Sequence, residues 1–180
     1  LDSYGNTISF THASMQRQGL DPDIQDLIRE MNAGSVDAVF VFDGANPAYD
    51  LPNAAEFRSG MEQAGLKVSF SGLPNETMVL CDYVLPTHHY LESWSDAMPK
   101  EGHYSLVQPT IRPLFNTRQA EETLLRWAGD DRINTAAEQP YYDYLKANWE
   151  TKIFPQQAQF ATFQAFWDSA LHDGVFQVPQ

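Results

Sequence analysis

Two short apolar runs separated by a helix-length segment constrain this chain more than any other feature. Residues 36–42 (VDAVFVF) are apolar, β-branched and aromatic, the pattern of a strand buried in a parallel sheet. Residues 66–70 (LKVSF) read as a second strand, and residues 54–64 between them carry a helical period closed by Gly65. A connection of that length is no hairpin, so the strands run parallel in a βαβ unit. Upstream, Asp21-Pro22-Asp23 with Ile24, Leu27, Ile28 and Met31, then Gly34, predicts a helix over 23–32 behind a capping Asp. Downstream, a turn of helix over 77–80 leads to a third strand-like piece, Tyr83-Val84-Leu85, stopped by Pro86. Residues 23–86 thus read as half of a doubly wound sheet.

The pattern then changes. Across residues 87–116, Pro99, Gly102, Pro109 and Pro113 interrupt every period, which predicts ordered extended chain. Residues 117–127 return to helix, with Ala120, Leu124 and Trp127 on one face, until Gly129-Asp130-Asp131 breaks it. In the tail, Tyr141, Tyr142, Tyr144, Leu145 and Trp149, then Phe160, Phe163, Phe166, Trp167 and Leu171, form two amphipathic segments split by Pro155. This aromatic stripe reads as packing against the domain or, alternatively, as a docking face for the rest of a parent protein. The expected fold class is α/β: Rossmann-like, a mainly parallel sheet with flanking helices, plus an extended segment and a helical C-terminal tail. The expected division is an α/β domain over 1–129 and a helical, aromatic-rich tail over 130–180.

Composition removes several functions. With 11 Lys and Arg against 24 Asp and Glu, the net charge of −13 opposes attraction to phosphate backbones or anionic membranes. At 180 residues with 43% hydrophobic content the chain builds a core without metal or disulfide staples. Its one cysteine, Cys81, cannot form an internal disulfide, an all-cysteine zinc site or a four-thiolate iron-sulfur cluster. No apolar run approaches the roughly 20 residues needed to cross a bilayer. A start at Leu1 without Met reads as a piece of a longer or processed protein.

In an open parallel sheet, ligands bind at the carboxyl ends of the strands. Two polar loops fall there: Gly44-Ala45-Asn46-Pro47, and Gly72-Leu73-Pro74-Asn75-Glu76-Thr77. Neither matches a dinucleotide or P-loop fingerprint, so they read as ordinary βα loops or as backbone donors for a nucleotide-like ligand. His88, His89 and Glu92 have poor metal spacing, because adjacent histidines point apart in a strand and lie about 100° apart on a helix. His103 and Asp96 could join them in space. No Ser sits in a nucleophile elbow, Cys81 reads as a small hydrophobe, and Glu56, Glu62, Glu121 and Glu122 fall on solvated helix faces. No catalytic residue and no metal ligand is expected.

The strings VDAVFVFDGANPAYDLP and NETMVLCDYVLPTHHYLES resemble the molybdopterin oxidoreductase family, in which a strand ends in a G-x-N-P loop and a later segment reads E-T-x-x-x-A-D-x-V-L-P-x-x-x-x-x-E. Those positions are Gly44, Asn46, Pro47, Glu76, Thr77, Asp82, Val84, Leu85, Pro86 and Glu92, with Cys81 in place of the usual Ala. Residues 88–129, with Met31-Asn32-Ala33-Gly34 and Val36-Asp37, are most similar to the molybdopterin-oxidoreductase-like iron-sulfur B subunit of bacterial alternative complex III. The similarity covers residues 24–129.

The resemblance implies a role in a respiratory assembly that oxidises quinol, on the periplasmic side of the inner membrane, beside cytochrome c and membrane subunits. It implies iron-sulfur clusters in another region of the parent chain and a molybdopterin-like part that has lost its cofactor. This stretch would then be a scaffold, redox-silent and inactive by itself. The alternatives are the molybdopterin guanine dinucleotide-binding domain of an active molybdenum or tungsten oxidoreductase, and a free-standing binding module for a nucleotide-like ligand. If a pterin cofactor is bound, the resemblance assigns Gly44, Asn46, Asn75, Glu76 and Thr77 to it. A bulky side chain such as Tyr90, Trp94 or Tyr104 would suffice to fill such a pocket, and Asn46→Ala is expected to disturb loop geometry more than activity.

Overall fold

A computed structural model of the protein describes residues 2–8, 10–11 and 13–179. The chain divides into two compact units, residues 19–89 with 113–124, and residues 1–18 with 90–112 and 125–180. This grouping departs from the 129/130 boundary expected from sequence, because the middle of the chain pairs with its C-terminal end.

In the first unit, α1 (Asp21–Asn32) leads to β1 (Ala38–Val41), a single turn α2 (Pro47–Asp50), α3 (Ala54–Gln63) and β2 (Leu66–Ser69). A 3-10 turn over Met78–Leu80, β3 (Tyr83–Val84) and the start of α4 (Ala120–Trp127) complete it. The three strands are parallel in the order β1-β2-β3, with Phe40 opposite Val68 and Ser69 opposite Val84, so the α/β expectation stands. α1 begins two residues earlier than expected: Leu20 occupies the N-cap and makes no side-chain cap bond, while Asp21 and Asp23 sit in the first turn against the positive helix end. Gly34, at φ 71, takes the left-handed turn that ends the helix.

One face of the sheet is covered by α1 and α3, whose Ile28, Met31, Phe57 and Met61 bury against Val39 and Val41. Burying a side chain such as Phe57 stabilises by about 1.5–3 kcal/mol. The two helices meet so closely that a Cβ on Gly60 would lie 2.8 Å from Met31 Cβ. Behind β2, Val68 and Phe70 pack with Ala120, Leu85 and Leu124. The first strand, expected to be buried throughout, alternates instead: Val39 and Val41 are buried, whereas Phe40 and Phe42 are 39% and 45% exposed. β1 is an edge strand of this sheet, and the face that carries Phe40 and Phe42 is only partly covered.

The second unit holds an antiparallel sheet of β4 (Ser95–Lys100), β5 (His103–Val107) and β6 (Val175–Gln177). Residues 87–116 are therefore not simply extended chain. Pro99 falls within a register shift between Ala97 and Lys100, and Gly102 takes φ 74 in the tight turn, so both supposed breakers serve the hairpin. The tail is helical as expected, with α5 (Pro140–Asn148) running into a π turn over Trp149–Ile153, then α6 (Phe163–Asp173) and the unexpected strand β6. Thr162 Oγ1 caps α6 by accepting from Ala165 N at 3.3 Å, and Gly174 at φ 70 closes it. Leu106 of β5 packs with Leu145, Trp149, Ile153, Phe166, Trp167 and Ala170. No helix among the described residues is long and apolar enough to cross a membrane.

Candidate functional site

The carboxyl ends of β1 and β2 deliver the two polar loops to one edge of the first unit, and there the loops bind each other. Asn46 Oδ1 accepts from Thr77 N at 3.1 Å and from Thr77 Oγ1 at 2.8 Å. Thr77 Oγ1 in turn accepts from Ala48 N at 3.0 Å, and Asn46 Nδ2 donates to Glu76 Oε2 at 2.6 Å. Thr77 is fully buried, so its hydroxyl needs these partners, and each is supplied by the opposite loop. A second tie lies beside the first: Gly72 N donates to Asp43 Oδ1 at 3.2 Å. Arg58 of α3 reaches the same edge and donates to the Ala48 carbonyl at 2.8 Å.

Of the five residues assigned from sequence, Asn46, Glu76 and Thr77 come together in this clasp. Asn75 sits one step aside, where its Oδ1 accepts from Met78 N at 2.8 Å and starts the following 3-10 turn, while Nδ2 donates to Ser71 Oγ at 3.3 Å. Gly44 joins the edge through its backbone alone, at φ 83, which L side chains avoid. Asp43, Ala48 and Arg58 were missed; only Asp43, at the strand end before Gly44, carries a sequence signal. The exposed Glu76 carboxyl is held below its ordinary value, first by the Asn46 hydrogen bond and then by its own backbone N–H, with Arg58 contributing.

The other candidates are placed plainly. His88 Nδ1 lies 2.6 Å from Thr117 Oγ1. Cys81 is half-buried against the aliphatic core, and burial followed by the nearby Asp82 charge pushes its thiol up, away from the reactive thiolate. Asp82 ties β3 to β2, accepting from Lys67 N at 2.9 Å and pairing with Lys67 Nζ at 3.2 Å. Among the described residues, no group of three or more His, Cys, Asp and Glu is placed to hold a metal ion. Trp94 and Tyr104 engage rings of the second unit's own core, Trp94 on Tyr142 and Tyr104 on Trp149, whereas Tyr90 is 68% exposed.

Two loops joined at the carboxyl edge of a parallel sheet, one of them G-x-N-P, fit the resemblance to the molybdopterin oxidoreductase family read from the sequence, and similarity to a known protein bears that resemblance out. Over 114 residues, 61% of its length, the chain is 32% identical to the molybdopterin-binding-like subunit of menaquinone reductase from Nitratidesulfovibrio vulgaris. In fold it is similar to acetylene hydratase from Pelobacter acetylenicus, with a TM-score of 0.55 over 86% of this chain at 16% identity. The matches cover 16% of the first protein and 20% of the second, so this chain spans a small part of either. No family model matches it.

The clasp permits a test of whether these side chains suit a pterin guanine dinucleotide. A pyrophosphate wants converging N–H donors and positive charge. Here Gly72 N–H is given to Asp43, the Arg58 guanidinium donates to a carbonyl, and Asn46 and Thr77 are satisfied by each other. The carboxylates of Asp43 and Glu76 stand at the same edge. As arranged, the side chains of this chain do not form a pyrophosphate cradle.

Proposed function

We propose that this chain is part of a subunit of a quinone-linked respiratory electron-transfer complex and serves there as a cofactor-free scaffold. The observation that carries the proposal is the clasp: Asn46, Thr77, Ala48 and Glu76 spend on one another the groups that would face a dinucleotide. Two further observations support it. The curated relative is a subunit of a menaquinone reductase, and residues 88–129 resemble the B subunit of alternative complex III, so both likenesses point to a quinone.

In this reading the chain holds its neighbours in place and turns over no substrate. Iron-sulfur clusters lie in another part of the parent protein, with cytochrome c and membrane subunits as partners on the periplasmic side of the membrane. The deciding experiment is metal analysis of the intact complex from its native source. Iron without molybdenum or tungsten is expected. Stoichiometric molybdenum or tungsten, bound to the subunit that contains this chain, would replace the scaffold with the cofactor domain of an active oxidoreductase.

A further inference from the structure

The second unit sorts its aromatic residues by chemistry as well as by shape. Trp149 and Trp167 are essentially inaccessible, at 0% and 1% exposure, and their rings meet edge to face at 5.6 Å. Phe154, Phe163 and Phe166 pack around them and fill space. Tyr104 lies 6.3 Å from Trp149, half-buried, on the wall of an open cleft of about 460 Å³ that His103 and Gln156 also line. Tryptophan and tyrosine are the aromatic side chains that surrender an electron most readily, and this row leads from the centre of the unit to its surface.

Packing alone does not call for an indole N–H, which has to be given an acceptor when buried. Trp149 Nε1 donates to Asp96 Oδ2 at 2.7 Å, so the buried ring that touches Tyr104 also touches a carboxylate able to take its proton. Trp149 opens the π turn that follows α5, a distortion that recurs at functional positions.

We propose that Trp149, Asp96 and Tyr104 form a proton-coupled drain that carries a one-electron oxidation from the buried centre of the unit to the cleft. A one-electron oxidant of the oxygen-radical class takes one electron from Trp149 and is reduced by one. The indole proton passes to Asp96, leaving a neutral indolyl radical. Tyr104 then gives one electron to the indolyl and its phenolic proton to water in the cleft, while Asp96 returns its proton to the indole nitrogen. The phenoxyl radical left on Tyr104 is reduced at the surface by a soluble thiol, which supplies one hydrogen atom and becomes a thiyl radical. No resident redox centre is required.

Laser photoionisation of the indoles in the full chain tests this, with dissolved oxygen taking up the ejected electrons as superoxide. Indolyl absorption should decay as phenoxyl absorption grows, at a rate independent of protein concentration. Tyr104→Phe should remove a defined share of the phenoxyl yield, and Trp149→Phe should remove the same share. Asp96→Asn should slow the transfer and lower its solvent deuterium isotope effect to the part that the Tyr104 phenolic proton contributes, a readout that a purely structural role would not move. Tyr104→Phe and Asp96→Asn keep the test decisive if Trp149→Phe fails to fold. An unchanged phenoxyl yield in Tyr104→Phe, or a loss seen only in Tyr142→Phe, would overturn the proposal.

Discussion

The two units are held together by different chemistry. Of the buried polar residues among those described, Ser69, Ser71, Thr77, Gln119 and Thr123 lie in the first unit, and Glu92 in the second. The first unit joins an aliphatic core to polar ties between loops, whereas the second is centred on large rings with Leu106 and Leu145 beside them. Polar ties fix position and are costly to half-break; ring packing fixes volume and is costly to empty. The two units should therefore fail differently under substitution.

The largest effect is expected where the second unit is emptied. Trp149→Ala removes a fully buried indole at the centre of the ring cluster and strands the Asp96 contact. A loss of about 3–5 kcal/mol is expected for such a truncation. Urea denaturation followed by far-UV circular dichroism measures it, and a loss of less than about 1 kcal/mol would mean that the neighbouring rings collapse into the space.

In the first unit the corresponding step is Thr77→Val, which keeps the shape and deletes the hydroxyl. Ala48 N–H then loses its acceptor, and Asn46 Oδ1 loses one of its two donors. Leaving buried groups unpaired costs about 1–3 kcal/mol. The sharper readout is hydrogen exchange: the Ala48 amide should exchange faster, while amides around Trp149 stay as they were. Equal acceleration at both places would dissolve the distinction between the units. Asn46→Ala should act on the same amide.

Gly60→Ala tests the first unit's packing by the sign of its effect. In an ordinary helix interior this change stabilises by roughly 0.5–1 kcal/mol. Here the new methyl would meet Met31 Cβ and Cε at 2.8 Å, and overpacking costs about 1–3 kcal/mol. A net loss of about 1 kcal/mol is expected from the difference. A raised melting temperature would show that α1 and α3 part easily.

The sequence disclosed the first unit far better than the second, for a physical reason. Around Ile28, Val39 and Phe57 each element is short, regular and punctuated by Gly or Pro at its ends, so its period is visible locally. The hairpin of β4 and β5 depends on Pro99 sitting in a bulge and Gly102 in a turn, both of which look like interruptions when read along the chain. β6 pairs with a strand some seventy residues away, and no local pattern encodes that pairing. The clasp was half legible: Asn46, Glu76 and Thr77 stand in recognisable strings. The amide of Ala48 and the reach of Arg58 emerge only when the loops meet.

The smallest effect belongs to the surface of the second unit. Asp130 accepts from Arg132 Nε at 2.9 Å and from Arg132 N at 3.0 Å, while the guanidinium lies 5.3 Å from the centre of the Tyr144 ring. The Arg132 side-chain hydrogen bond, then its backbone N–H, lowers the Asp130 carboxyl from 3.8 to about 2. A depressed carboxylate favours the fold when it is ionised in both states, and that contribution is lost as pH falls from the ordinary value through the folded one. Stability of the native chain should therefore exceed that of Asp130→Asn by a small, salt-sensitive margin above about pH 4, with the curves converging near pH 2. Carboxyl resonances followed by NMR give the folded titration directly. A midpoint near the ordinary aspartate value would show that the Arg132 contact does not persist in solution, and that the ring packing beneath holds this surface without help from charge.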